Sequence, residues 1–269
     1  MSGQHPSVHA QSVLLTFCGA YVLDQRAVSA TSFVHVLGEI GIGEYATRSA
    51  LTRMARNGLL HTSRSGRQVY YGLSDAGRVL LTEAATRVWD KGVVLRRWNG
   101  EWTLFGFSIP ESRRDERHSL RSRLTWAGFG MLQHGLWISP QPIDPHLLLA
   151  ESDVAHFVHG FVARPTSGTD VDTIIASAWD LESLAARYRT FLARWDVPEP
   201  LPGATDLSRQ LLLATEWLLL VREDPCLPLQ HLPEGWPGAR AQSVARALRA
   251  TLAGPARVIA ERTIVRLDD

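Results

Sequence analysis

Five arginines, Arg48, Arg53, Arg56, Arg64 and Arg67, fall close together, and Glu44 is the only acid between Glu44 and Gln68. A guanidinium presents its donors as a planar fork that fits two phosphate oxygens or the O6/N7 edge of guanine. Tyr45, Ser49 and Thr52 lie among these arginines, and hydroxyls bond phosphates or base edges. These residue types point to recognition of a nucleic acid rather than to making or breaking bonds. An isolated arginine-rich helix face is more often simply solvated, so the reading rests on the elements around it.

Other candidate chemistry is weaker. His156-x-x-His159 falls in a segment that reads as a strand, where residues three apart point to opposite faces and cannot share a metal ion. A structural zinc site also needs more ligands, and no cysteine is nearby. Cys18 and Cys226 match no metal or redox spacing and read as two lone, small buried thiols. Metal-assisted phosphodiester cleavage needs a carboxylate cluster. Asp144, Glu151 and Asp153 instead read as residues near a helix start and at its exposed end. Gly41-x-Gly43 lacks the rest of a dinucleotide fingerprint. The expectation is therefore no catalytic residue, no cofactor and no metal.

Composition sets the frame. With 269 residues, 45% hydrophobic and 20% charged, the chain has the make-up of an ordinary globular protein with room for two or three domains. The net charge of +1 does not announce a polyanion partner, but a local basic patch steers more strongly than overall charge. Residues Met1 to Gln11 carry no export signal. The longest apolar run, Leu211 to Val221, is interrupted by Thr215 and Glu216 and is shorter than the ~20 residues that span a bilayer. A cytoplasmic protein with no membrane partner is expected.

The elements that must position the arginines come next. Val13, Leu14, Phe17 and Tyr21 repeat at helical spacing. A second helix is expected from Thr31 or Ser32 through Glu39, then a turn at Gly41-Ile42-Gly43, then a third helix from Glu44 to Asn57-Gly58. On a helical wheel Ala46, Thr47, Ala50, Leu51, Met54 and Ala55 share one side, and Tyr45, Arg48, Ser49, Thr52, Arg53 and Arg56 the other. That second side suits a recognition helix, with Tyr45, Arg48, Ser49 and Thr52 reaching bases and Arg53 and Arg56 holding the backbone. Two β-prone runs around Ser65-Gly66 predict a hairpin carrying Arg64 and Arg67 near its tip, and Ser74-Asp75 opens another helix. This order reads as a winged helix-turn-helix domain over residues 1–89.

Residues 90–174 read as βαββαβ, a ferredoxin-like arrangement. Its elements are a strand at Trp102–Ile109, a helix at Arg113–Trp126, a hairpin at Phe129–Leu132 and Leu136–Ser139, a short helix at Ile143–Glu151 and a strand at His156–Ala163. Residues 175–269 read as helical. Leu181, Leu184, Tyr188, Phe191 and Trp195 form one apolar seam, and Asp206–Arg222 is apolar over most of its surface. A last helix from Ala239 is expected to break at Gly254-Pro255. The fold class is α+β, and the seam reads as internal core in preference to a subunit contact.

The chain resembles the PaaX-like family of regulators, named for repressors of phenylacetic acid degradation operons. The resemblance runs through Gly19-Ala20-Tyr21-Val22, Arg48-Ser49-Ala50-Leu51-Thr52-Arg53-Met54, Tyr70-Tyr71-Gly72-Leu73-Ser74, Trp98-Asn99-Gly100-Glu101-Trp102 and Ser108-Ile109-Pro110-Glu111. It continues through Leu124-Thr125-Trp126-Ala127-Gly128-Phe129-Gly130, Gly135-Leu136-Trp137-Ile138-Ser139-Pro140, Ala178-Trp179-Asp180-Leu181, Asp224-Pro225-Cys226-Leu227-Pro228 and Leu232-Pro233-Glu234-Gly235-Trp236-Pro237-Gly238. It implies a homodimeric repressor of a catabolic operon on double-stranded operator DNA, with a Cas2-like central fold, a C-terminal dimerisation and effector domain, and release by an aryl-CoA or related acyl-CoA ligand. Arg113, Arg114, Arg117, Arg121 and Arg123 are one candidate group for the phosphates of such a ligand, and a solvated helix face accounts for them equally. Two other functions stand beside this one: a Cas2-like metal-dependent nuclease, and an architectural DNA-binding protein that ignores metabolites.

Overall fold

The computed structural model describes residues 9–24, 27–90, 92–144, 149 and 154–267. By its contacts the chain divides into two compact units, one of residues 1–91, 191–218 and 243–269, the other of residues 92–190 and 219–242.

The first unit begins with helices α1 (Ala10–Tyr21), α2 (Ala30–Glu39) and α3 (Glu44–Arg56). Val13, Leu14 and Phe17 of α1 and Phe33, Val36 and Leu37 of α2 are all fully buried, with the Phe17 and Phe33 rings 5.0 Å apart. The Ser29 hydroxyl caps α2 by accepting from the Ser32 N–H. Strands β2 (Leu60–Ser65) and β3 (Gln68–Leu73) form the hairpin, with Ser65 opposite Gln68. Its two-residue loop places Gly66 at φ +59°, a conformation glycine adopts without steric cost. Helix α4 (Asp75–Ala85) follows, capped by the Ser74 hydroxyl on the Gly77 N–H, and runs into a π-turn at Thr86–Asp90.

Two features of this unit are absent from the sequence pattern. Strand β1 (Val28–Ser29) adds to β3, giving the sheet order β1-β3-β2 among the described residues. The chain's last segment also returns to this sheet: Val28 bridges Arg266, the Ser29 N–H donates to the Val265 carbonyl and the Leu267 N–H to the Ala27 carbonyl.

The second unit holds a four-stranded antiparallel sheet of β4 (Trp102–Phe107), β5 (Gly130–Gln133), β6 (Leu136–Ser139) and β7 (Val158–Ala163), in the order β5-β6-β4-β7. Placing the first strand between the third and the last is the ferredoxin-like order. Helix α5 (Arg114–Trp126) covers one face through Leu120 and Leu124, which pack with Phe105, Phe129 and Trp137. Helix α6 (Val171–Ala178) covers the other through Ile175, beside Trp102, Ile138 and Leu227. The last strand starts two residues later than its pattern predicts, because Ala155–Phe157 form a 3-10 turn. The short helix expected at Ile143–Glu151 lies largely outside the described residues, as do Glu151 and Asp153.

Three long helices complete the chain: α7 (Leu181–Trp195), α8 (Asp206–Glu223) and α9 (Gly238–Thr263). The apolar seam of α7 is internal, with Leu184, Tyr188, Phe191 and Trp195 buried. Helix α8 buries Leu207, Leu211, Leu213 and Trp217, the last donating its indole N–H to the Val88 carbonyl. Helix α9 does not break at Gly254-Pro255; Pro255 sits inside it. Proline costs the helix one hydrogen bond, and burial of Leu252, Ala256 and Ala260 offsets that loss. Among the described residues no helix is long and apolar enough to cross a membrane.

Candidate nucleic-acid interface

Helix α3 is held from behind. Thr47, Ala50, Leu51 and Met54 are buried, and α3 packs against both α1 and α2. The turn before it contains Gly41 at φ +84°, and the Ile42 N–H closes back on the Leu37 carbonyl. The helix ends with the Leu59 N–H on the Met54 carbonyl and the Gly58 N–H on the Ala55 carbonyl. Both ends of α3 are therefore fixed relative to α2 and the hairpin.

The opposite face is open. Tyr45 is 88% exposed, and Arg48, Ser49, Thr52, Arg53 and Arg56 are exposed beside it. Ala46 departs from the wheel reading, being exposed rather than packed. At 100° per residue it stands about 90° from the centre of the buried stripe, on the flank where α1 and α2 do not reach. Arg48 is not unengaged: its Nε donates to Glu44 Oε1 at 2.7 Å across one helical turn. An exposed pair of this kind contributes only ~0–1 kcal/mol, so the guanidinium is held in place yet readily exchanges partners. The Thr52 hydroxyl donates to the Arg48 carbonyl at 2.9 Å, leaving its oxygen lone pairs and methyl group outward.

The hairpin supplies the second part. Arg64 lies on β2 opposite Val69, and Arg67 is in the two-residue loop; both are exposed. His61 and Gln68 are further exposed polar residues of this wing that charge patterning alone passes over. Arg78 belongs to the scaffold, since its guanidinium donates to the Leu23 carbonyl and ties α4 to the end of α1.

The remaining candidates are placed as follows. His156 and His159 are both exposed, in the 3-10 turn and on β7. Among the described residues no group of three or more His, Cys, Asp or Glu is arranged to hold a metal ion. Arg117 pairs with Glu111 at 2.8 Å, and Arg113 lies 5.7 Å from the centre of the Phe157 ring, so this part of the arginine row is engaged locally. Neither cysteine is in a disulfide; Cys18 is fully buried.

Comparison with known proteins agrees with this arrangement along the chain. Residues 9–77 match the family model described as PaaX-like protein, residues 95–175 the PaaX protein central Cas2-like domain, and residues 179–262 the PaaX-like protein C-terminal domain. The transcriptional repressor PaaX of Escherichia coli (strain K12) is 31% identical over 227 residues, covering 79% of this chain and 70% of that one. A solved structure, uncharacterized protein Rv0674 from Mycobacterium tuberculosis, aligns with a TM-score of 0.61 at 25% identity over 94% of this chain and 99% of that one. With a winged helix-turn-helix region, a central Cas2-like sheet and a helical C-terminal part in family order, the chain belongs to the PaaX family of DNA-binding transcriptional repressors.

Proposed function

We propose that this protein represses a catabolic operon by binding a two-fold operator as a homodimer, and that a coenzyme A thioester, aryl or related acyl, releases it. The observation that carries the DNA part is the outward face of α3, where Tyr45, Arg48, Ser49, Thr52, Arg53 and Arg56 are all exposed while the opposite stripe is buried. In this reading Tyr45, Arg48, Ser49 and Thr52 enter the major groove, and Arg53, Arg56, Arg64 and Arg67 hold phosphates. Residues 1–89 act as the reading head, residues 90–174 as the central domain, and residues 175–269 serve dimerisation and effector response. Family membership supports the thioester, and the symmetry of two-fold operators supports the dimer.

The test is fluorescence anisotropy at fixed salt with the DNA upstream of the gene against unrelated DNA, with and without phenylacetyl-CoA and other acyl-CoA esters. Arg48→Ala is expected to cost ~1–3 kcal/mol on the operator and to relax sequence preference. Arg64→Ala is expected to weaken binding to every sequence alike. Parent-like operator binding by both variants rules out this reading head. Selective binding unaffected by any ester keeps the repressor and removes the ligand.

A further inference from the structure

Within the first unit, α1, α4 with its π-turn, α8 and α9 line a half-open pocket of about 300 Å³. Leu15, Leu81, Leu211 and Leu218 are among its walls, while Thr16, Gln210 and Arg249 supply polar groups. This volume is at the small end of the ~300–1,000 Å³ typical of small-molecule sites. Gly19 lines the pocket, and a Cβ at that position meets nothing within 4 Å. The wall is otherwise well fixed. Thr215 donates to Thr16 at 3.0 Å, Tyr21 donates to Gln210, and Trp217 donates to the Val88 carbonyl at 3.1 Å.

Arg249 places one guanidinium in the wall. The Arg249 guanidinium lies 4.3 Å from the centre of the Trp89 ring, and Arg246 donates to the Trp89 carbonyl at 2.8 Å. An apolar chamber with an arginine in its wall suits an apolar body that carries an anion.

We propose that this cavity binds a small apolar carboxylate or its thioester, the ring or short chain among the leucines and the anionic end toward Arg249. Its volume accommodates the acyl part of a thioester and leaves a nucleotide outside. Helix α1 forms one wall of the cavity and also packs against α3, so a ligand that favours one packing of α1 changes the population able to bind DNA. This assignment rests on the effector-released repressor proposed above.

The experiment is calorimetric titration of the full chain with phenylacetate, hexanoate and their coenzyme A thioesters, beside operator anisotropy with each ligand at saturation. The parent, Gly19→Leu and Arg249→Gln are compared. Leucine is a better helix residue than glycine, so Gly19→Leu fills the cavity without weakening α1; Ala214→Leu fills it from α8 if the first variant melts early. The expected result is that at least one probe binds the parent, that Gly19→Leu weakens it about tenfold or more, and that Arg249→Gln weakens it about tenfold, a loss near 1.4 kcal/mol. A melting temperature of Gly19→Leu or Ala214→Leu no lower than the parent's shows that lost ligand binding is not lost folding. Equal binding by the parent and both filled variants overturns the site while leaving the effector reading intact. Binding lost on filling, with no effect of ligand on operator affinity, keeps the site and overturns release. No binding of any probe to the parent overturns the site.

Discussion

Individual side chains in the first unit belong either to the proposed recognition face or to the packing behind it. Glu44 stands at the start of the proposed reading helix and holds Arg48, so in the proposed function it competes with DNA for that guanidinium and adds one negative charge near the phosphates. Glu44→Gln is expected to raise affinity for all DNA by a few-fold, consistent with an exposed pair of ~0–1 kcal/mol, measured by anisotropy on operator and random duplexes. Two groups, Cys18 fully buried and Tyr21 half-buried, act on stability instead. Burial pushes the Cys18 thiol from its ordinary value near 9 up to about 12, and the Tyr21 hydroxyl from near 10 up to about 12, the latter opposed by the Arg257 charge. Both groups are neutral below their unfolded values, so the folded state keeps their full contribution up to pH 9. Stability is then lost as pH rises from 9 toward 12, because the unfolded chain releases these protons and the folded chain does not. Urea midpoints measured across that range should fall, and Cys18→Val should flatten part of the fall. A thiol reagent at pH 8 should leave Cys18 unlabelled until the chain unfolds.

For secondary elements, legibility in the sequence followed how local each cause was. Helix α3 was readable because Thr47, Ala50, Leu51 and Met54 recur at the helical period and the arginines do not interrupt that stripe. The hairpin was readable because Gly66 marks its turn. Strand β1 was not: two residues carry no periodicity, and Val28–Ser29 is extended because β3 and the chain's last segment pair with it. The continuity of α9 through Pro255 is illegible for the same reason, since the packing that offsets the proline comes from distant residues. In the second unit the Tyr188 hydroxyl donates to Asp224, which is only 2% exposed and also accepts from the Cys226 N–H at 2.6 Å. This link between α7 and the end of α8 is a buried carboxyl group held by donors. Tyr188→Phe is expected to cost ~1–3 kcal/mol by leaving the carboxylate short of one donor, visible as a lower melting temperature.

For the whole molecule, chain order and spatial grouping differ, and that difference hides parts of the site from sequence reading. Residues 15–20, 81–89, 210–218 and 249–253 are far apart in the chain yet contribute to one cavity wall. The arginines of the proposed reading head, by contrast, are consecutive in pattern, and their collective charge gives a test of dimerisation that no single contact gives. Each phosphate neutralised contributes about −0.9 to the slope of log affinity against log salt. Four phosphate-holding arginines, Arg53, Arg56, Arg64 and Arg67, predict a slope of about −4 for one protomer on DNA and about −7 for two. A slope near −7 on a full operator, falling to about half on a single half-site, supports two reading heads bound together. Arg64→Ala should reduce the full-operator slope by about 2, one contact from each protomer. A slope near −4 on both duplexes contradicts the dimer, because a second head that docks on the operator must release its own counterions.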